Sequence, residues 1–133
     1  MSHERIEREL AMLLEGGQSA SIVGGAPTCV LYRGVPIRGT SSLANENVDV
    51  VVPVPNGYPA SPIDLAGLPV GSPLLNRVAG GGNSQGVIDA DGRQWQLASY
   101  HPHSNGGGPP WDQMRHGFHT YLDHLIAWLA KLN

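Results

Sequence analysis

Residues 48–62 read VDVVVPVPNGYPASP, and this stretch decides the fold. Val48, Val50, Val52 and Val54 recur at every second position, so they share one side of an extended segment while Asp49, Val51 and Pro53 take the other. A strand is expected. Pro53 has no amide proton to give to a ladder, which puts the end of that strand at a sheet edge or at the point where pairing stops. Pro55, Asn56, Gly57, Tyr58 and Pro59 then lead the chain away, and residues 58–62 are expected to be extended and irregular because a residue before proline is pushed out of the helical region.

Upstream, Ile6, Leu10, Leu13 and Leu14 form one apolar stripe between charged flanks, which predicts an amphipathic helix over residues 4–15. Gly16 and Gly17 end it, since glycine adopts the left-handed conformation that a helix C-terminus often needs. Strands are expected over residues 19–23 and 28–32, before Gly34 and Pro36 break the pattern. Downstream, residues 63–68 read as a short strand. The stretch 69–86, with Gly80, Gly81 and Gly82 together, reads as a mobile loop. Asp89, Ala90, Asp91 and Gly92 signal a turn before the alternating segment 93–100, in which Trp95, Leu97 and Ser99 share a face, so a hairpin arm is expected. After a second glycine-proline loop at 104–110, Met114, Phe118, Leu122, Leu125, Ile126 and Leu129 trace the stripe of a long closing helix.

A helix, a short antiparallel meander and a closing helix make an α+β fold, and 133 residues suit a single domain over 1–133. A chain of this length buries roughly two thirds of its unfolded surface, so neither a disulfide nor a metal is needed for stability. No apolar run approaches the ~20 residues that cross a bilayer. Residues 1–8 are too polar for a signal peptide, which makes a soluble cytoplasmic protein the expectation. The net charge is −3, Lys131 is the one lysine and the arginines are scattered, a pattern unsuited to tracking phosphates. Neither nucleic acid nor a membrane is an expected partner, and no cofactor is expected.

Three stretches taken in order carry a family resemblance: Gly57, Tyr58 and Pro59 with Pro62 and Asp64; Trp95 followed by His101; and Trp111 leading into the closing helix. Nearly the whole chain resembles the prokaryotic E2 family E, a divergent bacterial branch of the ubiquitin-conjugating-enzyme (E2) superfamily. The resemblance implies the E2 fold, a four-stranded meander flanked by helices. It also implies a setting beside a ubiquitin-like protein, an E1-like adenylating enzyme and often a JAB-type peptidase. In ordinary members a cysteine carries the ubiquitin-like C-terminus as a thioester, beside a His-Pro-Asn triplet. This chain departs from that pattern. If residues 89–93 are the turn before the usual cysteine, Trp95 stands about where the thiol belongs; if His101, Pro102 and His103 are the triplet, the position eight residues on is Trp111. The chain's one cysteine, Cys29, lies far upstream in an expected strand and reads as core.

Other residues can carry chemistry. His101 and His103, one residue apart, point the same way in an extended segment, as two metal ligands do, and Asp112, His116 or His119 can add a third. Alternatively they are polar loop histidines that cap or hydrogen-bond. His101 can also serve as a general acid or base with Ser99 or Tyr100 as hydroxyl and Asp112 as orienting carboxylate. His116, His119 and Asp123 are spaced to share a helix face, which is either functional or merely solvated. Tyr58, Trp95 and Trp111 are the candidate binding aromatics; Tyr58 and Trp111 also read as core, whereas Trp95 suits a binding surface.

The leading expectation is an E2-like component of a bacterial ubiquitin-like modification pathway that lacks the catalytic cysteine and binds the ubiquitin-like protein or the E1-like partner. A catalytic module built on His101 and His103, with or without a metal, is one alternative. An inert structural adaptor is the other.

Overall fold

The computed structural model describes residues 3–24, 28–38, 47–77, 86–99 and 110–132. The chain is α+β. Helix α1 (His3–Glu15) is followed by strands β1 (Ala20–Val23), β2 (Cys29–Pro36), β3 (Asn47–Pro53) and β4 (Leu65–Pro69), a short 3₁₀ turn (Pro73–Arg77), strands β5 (Val87–Ala90) and β6 (Arg93–Ser99), and helix α2 (Phe118–Leu132). The strands form one antiparallel sheet in the order β1-β2-β3-β4-β6-β5. The first four are therefore a meander in chain order, and the β5–β6 hairpin is added beyond it.

Both glycines expected to stop α1 do so. The Gln18 amide bonds to the Leu13 carbonyl and the Gly17 amide to that of Leu14, with Gly17 at φ +83°, the paired bonds of a Schellman motif. The period of two in β3 divides the sheet into two faces. Val50, Val52 and Val54 join Ile6, Leu13, Phe118, Tyr121 and Leu125 in the main core beneath the helices, while Val51 joins Cys29, Leu31, Ala90 and Trp95 in a second cluster on the opposite face. Gly67 of β4 belongs to that second face: a Cβ there would lie 2.7 Å from Val51 Cγ2 and 3.1 Å from Leu97 Cδ2. Between β2 and β3 the register shifts after Tyr32, so that Arg33 and Gly34 oppose Asp49, whose Oδ1 accepts the Gly34 amide at 2.8 Å.

Three sequence expectations are corrected. Residues 56–60 are not extended: Gly57, at φ +81°, reverses the chain, its carbonyl accepts the Ala60 and Ser61 amides, and the Tyr58–Pro59 peptide is cis. Met114 does not belong to the closing helix; it is 86% exposed, because residues 112–116 form their own turn on the Asp112 carbonyl and α2 starts at Phe118. The stretch 69–86 contains the 3₁₀ turn, which buries Leu74 in the main core, whereas Gly80, Gly81 and Gly82 lie outside the described residues. Among the described residues no helix is long and apolar enough to cross a membrane.

Candidate functional site

Arg5 and Glu9 lie one turn apart on the side of α1 that meets α2. Glu9 is 3% exposed, and burial of a carboxylate is tolerated only when it is paired and hydrogen-bonded. It is both: Oε1 accepts from the Tyr58 hydroxyl at 2.6 Å and from the Phe118 amide at 3.1 Å, and Oε2 accepts from Arg5 Nε at 2.9 Å. Arg5 Nη2 donates further to the carbonyls of Gln113 and His116. One ion pair of α1 thus holds the segment before α2 and the first amide of α2.

Gly117, at the N-cap of α2, has no side chain to satisfy the helix's free amides. Glu9 supplies the missing acceptor from another element, and Thr120 Oγ1 accepts the Gly117 amide at 3.1 Å. A Cβ at Gly117 would run into the Glu9 carboxylate, so the absence of a side chain is what lets the acceptor approach. Beside this junction Trp111 Nε1 donates to the Pro59 carbonyl at 2.9 Å, and the ring of Tyr58 packs against Trp111 and Phe118 at centroid distances of 6.2 and 5.1 Å. His116 stacks obliquely on Trp111, and its Nδ1 accepts the Asp112 amide at 3.0 Å.

His119 joins this junction to the surface. Its Nδ1 is buried, makes no hydrogen bond among the described residues and lies 3.8 Å from Glu9 Oε2, and the residue also borders a groove of about 600 Å³ between α1 and α2. The groove is lined by aliphatic Leu13, Leu122, Ile126, Ala127 and Ala130 and by polar Gln18, Arg38, His119 and Asp123. Of the three residues expected to share a helix face, His119 and Asp123, four apart on α2, border the groove together beside Leu122 and Ile126, whereas His116 precedes α2 and packs on Trp111 instead.

Burial, reinforced by the hydrogen bond and charge of Glu9, pushes the Tyr58 hydroxyl well above the usual phenol range, and the described lining of the groove contains no hydroxyl or thiol. Cys29 lies on the other sheet face with no exposed surface, and burial pushes its thiol up to about 11. Neither is a nucleophile near neutral pH.

The three candidate aromatics are divided between the two sides of the sheet. Tyr58 and Trp111 meet beside Glu9, whereas Trp95 is wholly buried in the second cluster, with Nε1 donating to the Ala90 carbonyl at 2.8 Å and the Arg93 guanidinium 4.4 Å from its ring. In this conformation Trp95 offers no surface to a partner. His101 and His103 lie outside the described residues, as do Tyr100 and the side chain of Ser99. Among the described residues no group of three or more His, Cys, Asp or Glu side chains is placed to hold a metal ion.

The sequence reading passed over Arg5, Glu9 and Gly117. A signal existed for Glu9: it stands three residues after Ile6 and four before Leu13, a charged residue within the apolar stripe of α1. Comparison with known proteins adds no relative, since no family model, no curated protein and no solved structure matches the chain.

Proposed function

We propose that the chain is an E2-like component of a bacterial ubiquitin-like modification pathway that works without a thioester, in the cytoplasm, by binding the ubiquitin-like protein or its E1-like partner. The state of Cys29 carries this reading. It is the one cysteine of the sequence, it is wholly buried, and its thiol is pushed up to about 11, whereas a thioester carrier needs an accessible thiolate. Further support comes from the order of elements: α1, a four-stranded meander, the Tyr58–Pro59 turn after β3 and the closing α2 follow the sequence that the resemblance implies. The β5–β6 hairpin extends that plan to six strands. The groove between the helices, with apolar walls and a few polar groups, is a surface for a partner.

The test mixes the purified protein with a ubiquitin-like protein and an E1-like enzyme from the same genome, adds ATP, and follows intact mass and calorimetric heat. Binding to either protein without a covalent adduct is the expected result. An adduct would replace the binding reading with a carrier, and absence of both adduct and binding would end the assignment to such a pathway.

A further inference from the structure

Strand β1 stands at one edge of the sheet, and its phase against β2 fixes which of its backbone groups are open. The Arg33 amide bonds to the Ser19 carbonyl, and the register runs on from Ala20 opposite Tyr32 to Val23 opposite Cys29. Bonded and non-bonded pairs alternate in an antiparallel ladder, so Ser19, Ser21 and Val23 bond towards β2 while Ala20 and Ile22 turn their N–H and C=O groups outward. Among the described residues no hydrogen bond reaches those outward groups. The side chains of Ala20 and Ile22 pack on the helix-side core, whereas Val23 packs on the second cluster, and Ser21 shares the face of Val23.

A sheet edge invites another strand unless charge, proline or a bulge blunts it. The opposite edge is blunted: Leu97 donates to the Gly86 carbonyl, so β5 turns Val87 and the exposed Asp89 outward. Strand β1 reads Ala-Ser-Ile-Val, with no charge and no proline, and it pairs with β2 without a shift in register. An apolar flank adjoins it. Helix α1 packs against β1 and α2 against β2, and Arg5 and Glu9 take the side of α1 that meets α2. Leu10 and Leu14, one turn apart, therefore lie on the other side of α1, towards the β1 edge, where Leu14 is 71% exposed.

We propose that β1 is a self-pairing edge, through which two copies of this chain join antiparallel into one continuous sheet. The strand fits itself. The register that bonds both outward residues within β1 sets Ala20 opposite the partner's Ile22 and Ile22 opposite the partner's Ala20, each pair exchanging both its bonds. Ser21 then lies on the two-fold axis beside the partner's Ser21. No charged side chain of β1 meets its copy. The axis stands normal to the sheet, so the two α1 helices lie on the same side of it and their Leu10 and Leu14 flanks cover one another. An interface this small makes the dimer reversible and concentration-dependent. The inference is independent of the pathway assignment, and the edge lies on the far side of α1 from the groove.

Sedimentation velocity of the full chain, run from micromolar to millimolar concentration, tests it. The average mass is expected to rise from that of one chain towards that of two. Leu14→Gln, at an exposed position, is expected to weaken the dimer several-fold at an unchanged urea midpoint. Ser21→Lys and Ser21→Glu are each expected to stay monomeric, because like charges then sit directly opposite at the axis, and an equimolar mixture of the two is expected to dimerise again. That restoration reads the axis even where a single variant is less stable than the parent. Val87→Lys, at the other edge, is expected to leave the dimer intact. A parent chain that is monomeric throughout, a dimer that Ser21→Lys leaves intact, or a mixture no more associated than either variant alone would overturn the proposal. So would loss of the dimer in Val87→Lys.

Discussion

At Glu9 three donors from three parts of the chain converge on one buried carboxylate, and each can be removed separately. Tyr58→Phe keeps the ring and deletes the donor, so Oε1 is left with the Phe118 amide; the expected loss is about 1–3 kcal/mol, the range for a buried polar group that loses a partner. A lower urea midpoint with unchanged slope measures it. Gly117→Ala acts on the same carboxylate by collision, because Glu9 can retreat from the new methyl only by giving up hydrogen bonds. It is expected to cost about 1–3 kcal/mol. In a Glu9→Ala background that cost is expected to shrink, a coupling that a double-mutant cycle reads directly. Additive losses would show that Glu9 is not what Gly117 accommodates. The sequence could flag Glu9 through its place in the apolar stripe, but not its partners, since Tyr58 and Phe118 lie 49 and 109 residues away.

Elements with local signals were legible. The alternating valines gave β3 and its two faces, Gly16 and Gly17 gave the end of α1, and Asp91-Gly92 gave the hairpin turn. Long-range choices were not. The pairing of β4 with β6 joins residues 26 to 34 positions apart, and nothing in residues 63–68 announces that partner. The start of α2 was misplaced because Met114 fits the 3.6-residue period, while Asp112 captures residues 114–116 in a separate turn. Gly67 shows how such pairings shape the sheet, since its bare Cα leaves room for Val51 and Leu97 on its two neighbouring strands. Gly67→Ala is expected to cost about 1–3 kcal/mol by overpacking. Adding Val51→Ala, which removes the closest atom, is expected to recover part of that loss in thermal melts; a double variant at the sum of the single losses would mean that the collision is not with Val51.

For the whole molecule, acid acts through two windows that belong to different sides of the sheet. Burial and then the neighbouring His116 hold His124 of α2 below the usual imidazole range, with Asp123 opposing, so the folded state resists a proton that the unfolded chain accepts near pH ~6.5. Stability from this source is complete above that value and declines as pH falls through it toward the lower folded value. On the opposite face partial burial disfavours the charge of Asp49, but the Gly34 amide and the Arg93 and Arg33 guanidinium groups outweigh it and hold the carboxyl below the usual range. Its contribution is complete above pH ~4 and is lost as pH falls below that. A urea-derived stability curve from about pH 8 to about pH 3 should therefore descend in two steps. His124→Gln is expected to flatten the upper step and leave the lower, and Asp49→Asn to do the reverse. An upper step that survives His124→Gln would assign the near-neutral loss of stability to another group and remove His124 from the account.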